Sequence, residues 1–236
     1  MLFRSPARES REELLLAHRA NPARDALAAG LVTEELGDAP QDYKYAGAVT
    51  RLRIGSQNVF REHVTVHRSS KPEEDTIIGD GNYFMAGSHA GHNCVVGSHN
   101  TFANGALLAG HVTIADRAFI SGNCVIHQFC RVGRLAMMQG KAGISKDLPS
   151  FCIARGDNGI CGLNVVGLRR AGFTPAQRLE LRRLYHHLFR SGERLRVALE
   201  SAREQLRDPA SQELIEFAAA SKRGLCADTG LRGHDD

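Results

Sequence analysis

The chain has 236 residues, 42% of them hydrophobic, and a formal net charge of +4 with a pI near 8.8, a mild basicity that singles out no nucleic acid over any other anionic partner. No run of about 20 apolar residues is present to span a bilayer, and the N-terminal apolar run of Leu14, Leu15, Leu16 and Ala17 is too short for a secretory signal. The six cysteines form no Cys-x-x-Cys pair, so buried packing thiols in a cytoplasmic protein are expected.

Residues 1–35 are rich in Ala, Arg, Leu and Glu. A short helix is expected over Ser10–Ala20 and another over Pro22–Leu36. The opening Met-Leu-Phe-Arg-Ser resembles the translation of a common sequencing adapter. Residues 1–35 are therefore expected to be a truncation or frameshift product standing where the true N-terminal part belongs. Residues 36–53 read as a loop leading into the next element, with Tyr43 and Tyr45 packing against it and Asp42 and Lys44 left available.

From Ile54 to Pro149 the sequence repeats in sixes. The first residues are Ile54, Phe60, Val66, Ile78, Phe84, Ala90, Val96, Phe102, Leu108, Ile114, Ile120, Ile126, Val132, Met138 and Ile144, all apolar. The step fails only at Pro72, inside the polar run Ser69 to Asp75. The fifth residues are mostly small, and include Ser88, Cys94, Ala106, Ala118, Cys124, Cys130, Ala136 and Ala142. Neither a helical period near 3.6 nor a strand period of 2 explains strict sixes. A short fixed period marks a solenoid, here a hexapeptide β-helix whose coils hold three hexads each. The Ser69–Asp75 run reads as a loop ejected from the coils, a place where solenoids carry function.

After Gly156 the pattern changes to helices. Thr174, Pro175 and Gln177 form a capping-box start, and Leu179, Leu184, Leu188 and Phe189 follow at helical spacing to Arg190, with Gly192 as the stop. A second helix is expected from Glu193 to Leu206 and a third from Asp208 and Pro209 to before Gly224. The last dozen residues read as frayed. The expected domains are the N-terminal segment 1–35, a β-helix over 36–156 and a helical domain over 157–230.

The period places side chains. Hexads beginning at 90, 108 and 126 stack on one face, so His92, His111 and His127 are expected in one column, with Gly110 beside His111 and His89 at the preceding corner. Adjacent coils sit about 4.8 Å apart. A neutral histidine on such a wall suits general-base work, and a backbone N–H such as that of Gly110 suits an oxyanion. A zinc site needs nitrogens converging near about 2.0 Å and supporting carboxylates, which Ser-His-Ala-Gly-His-Asn-Cys does not supply, and no Gly-x-Ser-x-Gly elbow is present. No metal is expected.

QDYKYAG (41–47), VTVHR (64–68), SHAGHNC (88–94), LAGHV (108–112), VIHQFC (125–130), GLNVVGLRRAGF (162–173) and SKRGL (221–225) resemble the bacterial acyl-carrier-protein–UDP-N-acetylglucosamine O-acyltransferases, over about residues 36–226. The resemblance implies a mainly β fold, a left-handed parallel β-helix of hexapeptide repeats followed by a small C-terminal α-helical domain, assembled as a homotrimer with active sites in clefts between subunits. It implies transfer of a 3-hydroxyacyl chain from acyl carrier protein to the 3-hydroxyl of UDP-N-acetylglucosamine, the first step of lipid A synthesis. No cofactor is implied beyond the phosphopantetheine thioester of the co-substrate.

Carried over by position, the resemblance makes His92 the catalytic base and Gly110 the backbone donor at the thioester carbonyl. Asp42, Lys44, His67, His89 and His111 surround the sugar and acyl group. His127, Gln128, Asn164 and Arg170 bind nucleotide or phosphopantetheine, and Gly140 stands on the acyl-chain ruler. Arg178, Arg182, Arg183, Arg190, Arg194 and Arg196 are candidates for docking the acidic carrier protein. The chain departs from the family at Asn93, where an Asp is common beside the base, at Val166 and Ala171, where Glu and Arg are common, and at Asn158, in a loop one residue short, where histidine is usual. About five coils are expected. The alternatives are a related N-acyltransferase on UDP-acyl-glucosamine and a truncated, non-catalytic trimer.

Overall fold

The six-residue period folds into three parallel sheets. The computed structural model describes residues 15–17 and 36–230. Each hexad supplies one short strand and one corner, and three hexads close a coil. Pairing therefore runs at a spacing of eighteen residues: Thr101 with Tyr83 and Phe119, Leu107 with His89 and Val125, Thr113 with Val95 and Arg131, all parallel. The coil is a left-handed β-helix. Every first-position residue from Ile54 to Ile144 is buried, Ile54 being the most exposed at 7%. Inside, Phe60, Phe84 and Phe102 stack with ring centres 5.0 and 4.4 Å apart.

The fifth positions line the interior beside them. Asn58, Asn82 and Asn100 form a ladder in which Asn58 Oδ1 accepts from the Asn82 N–H at 2.8 Å and Asn82 Oδ1 from the Asn100 N–H at 2.9 Å. Higher up, Ala106, Val112, Ala118, Cys124 and Cys130 take over. All six cysteines are free and buried.

Each corner turns on its fourth residue. Gln57, His63, Asn93, His99, His111, Arg117, Asn123, Phe129, Leu135 and Lys141 all have φ between 54° and 65°, and Gly81, Gly87 and Gly105 between 63° and 68°. From Gly81 to Lys141 these residues donate their N–H to the third-position carbonyl one coil earlier, as His99 does to Asp80 at 2.8 Å and His111 to His92 at 2.9 Å; Asn93 is the exception.

Three expectations for the N-terminal half need correction. Residues 36–53 are not only a loop. Leu36–Asp38 is a strand, parallel to Thr65–His67, and Leu36 is fully buried in the core. Among the described residues the coils therefore include Leu36–Asp38, and residues 39–50 are an excursion from them. Arg51–Ile54 continues the coil. Tyr43 is fully exposed; only Tyr45 packs, its hydroxyl bonded to Ala48 O at 2.6 Å and to Arg68 at 3.2 Å. Leu15–Ala17, expected in a helix, is a strand antiparallel to Arg51–Ile54, pairing with an edge that would otherwise be open. The rest of the two expected N-terminal helices lies outside the described residues.

Ser69–Asp75 leaves the coil as expected. Ile54 pairs in register with Ile78, a spacing of twenty-four instead of eighteen.

One helix that the sequence did not reveal precedes the three expected ones. Asn164 caps a short helix, α1 (Val165–Arg170), accepting from the Gly167 N–H at 3.0 Å. Then come α2 (Pro175–Arg190), with the capping box of Thr174 and Gln177 in place, α3 (Leu195–Gln205) and α4 (Pro209–Ala219), capped by Asp208. Their core of Leu181, Leu184, Leu188, Leu199 and Leu214 meets the coil end at Leu135 and Phe151. Buried Asp147 ties the two parts, accepting from Arg131 at 3.1 Å and from the Ser221 hydroxyl at 2.8 Å. Part of the stretch expected to fray is ordered, and residues 231–236 lie outside the described residues. Cys226 is buried, and Ala227–Asp228 adds a strand beside Gly159–Leu163. Among the described residues no helix is long and apolar enough to cross a membrane.

The stacked phenylalanines make the coil order testable. Phe102→Ala is expected to lower the unfolding free energy by about 3–5 kcal/mol, read as a shifted urea midpoint. Val59→Ala, on an exposed side chain, is expected to stay within about 0.5 kcal/mol of the parent. Equal losses at both positions contradict the assignment of inside and outside.

Candidate active site

The corner following the sheet of Thr65–His67, His89–Ala90, Leu107–Leu108 and Val125–Ile126 gathers four histidines. His92 is the third residue of its hexad and His111 the fourth of the hexad one coil on. Their rings meet edge to face, 5.2 Å between centres. His67 and His89 make a second edge-to-face pair at 4.7 Å.

His92 sits on Gly110. A Cβ at residue 110 would stand 2.6 Å from the Cε1 and Nε2 atoms of the His92 ring, so only glycine lets the imidazole lie against the backbone here. Gly110 is a third-position residue. Some third-position N–H groups are taken by side chains, Ser56 by Asp80 at 2.6 Å and Ser98 by Asp116 at 2.7 Å, while others, such as those of Asn104 and Gly122, are open. The Gly110 N–H donates to nothing among the described residues. An unspent donor thus lies beside the imidazole.

The other edge of the His92 ring is anchored. Nδ1 lies 2.8 Å from Asn93 Oδ1. That oxygen also accepts from the Ser70 N–H at 3.0 Å, while Asn93 Nδ2 lies 2.7 Å from Glu74 Oε2. A backbone donor on one side and a carboxylate on the other leave one orientation for the amide. Oδ1 therefore faces His92, and Nδ1 must carry the ring proton. Nε2 is left as the basic nitrogen, facing Gly110.

The surrounding imidazoles are held neutral. Burial pushes His89 down to about 4, with His67 and His92 adding to the shift. Burial also lowers His67 and His111. The Thr65 hydroxyl meets His89 Nδ1 at 2.7 Å. Glu74 is kept below the usual carboxylate range by Lys71, whose Nζ is 2.8 Å away.

Asp42 and Lys44 lie on the 39–50 excursion. The Lys44 N–H, donating to Asp42 Oδ1 at 2.9 Å, lowers the carboxyl, and His92 and His111 are close enough to contribute. The Arg68 guanidinium holds the excursion in place, donating to Gly37 O at 2.9 Å and to the Tyr45 hydroxyl.

The remaining expected site residues stand apart. His127 does not continue the His92–His111 column, because it is the second residue of its hexad. Its exposed ring meets Gln128 O at 3.2 Å and Arg223 at 3.5 Å. The ring stacked on His111 is Phe129, with centres 4.6 Å apart. Phe129 is the fourth-position residue eighteen beyond His111, so counting positions within the hexad finds it. Gln128 is exposed on the same corner, one residue before Phe129. Gly140 belongs to a different corner, following the sheet of Met137–Met138, and a Cβ there would meet nothing closer than Gly122 O at 3.6 Å. Asn164 spends its side chain on capping α1 and on Leu135 O at 2.9 Å. Arg170 is exposed in the last turn of α1. A cavity of about 300 Å³ lies among the helices, lined by Leu163, Leu179, Arg178, Arg182 and Tyr185 among others, and includes none of the histidines of the corner. The histidines sit on an open corner instead.

Comparison with known proteins bears on the family and the fold. Residues 147–226 match the family described as UDP N-acetylglucosamine O-acyltransferase, domain 2, and residues 75–110 match the bacterial transferase hexapeptide (six repeats). The acyl-[acyl-carrier-protein]–UDP-N-acetylglucosamine O-acyltransferase of Alkalilimnicola ehrlichii is 46% identical over 194 residues, covering 80% of this chain and 75% of that protein. The enzyme of the same name from Gloeothece citriformis is 39% identical over 199 residues, 84% of this chain and 71% of that one. Among solved structures, the UDP-N-acetylglucosamine acyltransferase of Francisella novicida superimposes with a TM-score of 0.79 at 36% identity, over 82% of this chain and 72% of that one. The Arabidopsis enzyme gives a TM-score of 0.77 at 36% identity, over 80% and 70%. A left-handed hexapeptide β-helix, a corner of histidines and these likenesses agree, and the chain belongs to the acyl-[acyl-carrier-protein]–UDP-N-acetylglucosamine O-acyltransferases, a family of acyltransferases.

Proposed function

We propose that this chain transfers a 3-hydroxyacyl group from the phosphopantetheine thioester of acyl carrier protein to the 3-hydroxyl of UDP-N-acetylglucosamine, the first step of lipid A synthesis, with His92 as general base. The observation that carries this reading is the His92 imidazole, fixed at Nδ1 by Asn93 and presenting Nε2 over Gly110. Nε2 takes the proton of the sugar hydroxyl as its oxygen attacks the thioester carbonyl. The tetrahedral oxyanion accepts a hydrogen bond from the Gly110 N–H. Collapse breaks the carbon–sulfur bond, and the imidazolium Nε2–H returns its proton to the leaving thiolate. No covalent enzyme intermediate and no cofactor are required.

Around this centre, neutral His67, His89 and His111 offer hydrogen bonds to sugar and acyl groups without adding charge, and Asp42 and Lys44 reach in from the excursion. Gly140 and the His92 corner lie on different edges of the prism. An acyl chain measured by Gly140 thus calls for a second copy of the chain, which supports a homotrimer with clefts between subunits. For the carrier protein, Arg182 and Arg183 on α2 are exposed without a partner among the described residues. Arg190 and Arg196 are engaged with Asp228 and Glu200, and Arg178 bonds Phe173 O. Electrostatic complementarity of this kind sets encounter rate more than affinity. Six buried, free cysteines support a cytoplasmic setting.

His92→Ala is expected to lower kcat by about 10²–10⁴-fold in an acyl-carrier-protein turnover assay, with the oligomer unchanged in sedimentation; near-parental turnover contradicts the reading. Gly110→Ala is expected to lower kcat by about 10-fold or more by displacing the ring from the donor. Val59→Ala, on an exposed side chain away from this corner, is expected to keep turnover within about threefold of the parent. Equal rates for these two variants contradict the placement of His92 on Gly110.

A further inference from the structure

The corner that carries His92 is built unlike its neighbours. From Gly81 to Lys141 each fourth-position N–H donates to a third-position carbonyl one coil below, except at Asn93. There the coil below has been opened by the Ser69–Asp75 excursion, and the Asn93 N–H donates to the Thr76 hydroxyl at 2.8 Å. The Asn93 side chain then becomes the node of the corner. It is only 6% exposed. Its Oδ1 accepts from the Ser70 N–H and hydroxyl, both at 3.0 Å, and from His92 Nδ1 at 2.8 Å. Its Nδ2 donates to the Ser69 hydroxyl at 2.7 Å and to Glu74 Oε2 at 2.7 Å. An amide has two donors and one acceptor oxygen, so this side chain is fully spent.

The chain of contacts runs from a carboxylate through an amide to the base. Asn93 can orient an imidazole but brings no charge. Glu74 supplies a carboxylate one amide further out. A carboxylate on Nδ2 polarises the amide and makes Oδ1 a stronger acceptor, which favours the Nδ1–H form of His92 and supports the positive charge the ring gains when Nε2 takes a proton. Lys71 fixes the carboxylate from outside at 2.8 Å. The same Oε2 lies 3.8 Å from His111 Nδ1.

Resting on the proposed role of His92, we infer that Glu74 is a positioning residue for this acyl transfer, acting on His92 through the Asn93 amide. The ejected loop is in this sense part of the base. A carboxylate is needed at one of the two positions, 74 or 93, and not at both, because two carboxylates separated by a hydrogen-bond distance repel and retain a proton between them.

Glu74→Gln keeps an oxygen that accepts from Asn93 Nδ2 and removes the charge. It is expected to lower kcat by about 10-fold or more, a share of the about 10²–10⁴ that general-base catalysis supplies, with KM for both substrates and the melting temperature unchanged. Asn93→Asp in the Glu74→Gln background is expected to restore most of the lost kcat, and Asn93→Asp alone to be slower than the double variant. Parental kcat for Glu74→Gln overturns the inference. So does a double variant no faster than Glu74→Gln, and so does a Glu74→Gln loss that comes with a raised KM and a lowered melting temperature, the signature of a loop anchor. His92→Ala in the same assay separates the two readings. If it retains turnover, the base assignment fails. If it abolishes turnover while Glu74→Gln is silent, only the role of Glu74 fails.

Discussion

One backbone conformation repeated at every corner holds this molecule in register. From Gly81 to Lys141 the fourth residue of each hexad is left-handed, a region that costs an L-residue about 1–2 kcal/mol, and residues as unsuited as Leu135 and Phe129 adopt it. The cost is offset twice. The turned residue's N–H bonds a carbonyl in the coil below, as in Phe129 to Gly110 and Lys141 to Gly122. The turn also directs the next large apolar side chain into the prism, where Phe84, Phe102, Ile120 and Met138 stack in line. A slip of one residue would lose both gains at every coil, so the register is strongly specified.

That register is what makes a site. Residues eighteen apart become neighbours, and their position within the hexad decides which face they share. Third-position His92 and Gly110 lie ring on backbone. Fourth-position Asn93, His111 and Phe129 stack along the corner beside them. Where the Ser69–Asp75 excursion breaks the coil, the ladder of backbone bonds is replaced by side chains, and those side chains surround His92. The fold departs from its regularity under His92.

Much of this was legible in the residues. The inward set, with Cys94, Cys124 and Cys130, follows from steps of six, and the capping box of Thr174 and Gln177 marks the start of α2. Leu36–Asp38 was hidden because residues 39–50 interrupt the period before Ile54. Helix α1 has only six residues, two of them valines with low helical preference, so its pattern is too short to read. The histidine column was legible to the level of the hexad. His92, His111 and His127 do lie in stacked hexads, but at the third, fourth and second positions, and that offset takes His127 away and brings Phe129 in. Glu74 had no signature beyond lying in the ejected loop. Its contact with Asn93 spans nineteen residues and depends on how the loop folds back.

The account rests on the state of one ring. Nitrogen NMR of histidine-labelled protein, with His92 assigned by comparison with His92→Ala, reads which nitrogen holds the proton in the neutral imidazole. The account predicts a protonated Nδ1 and a bare Nε2. A neutral His92 with its proton on Nε2 contradicts it, because the nitrogen facing Gly110 then has no lone pair with which to take the proton of the sugar hydroxyl.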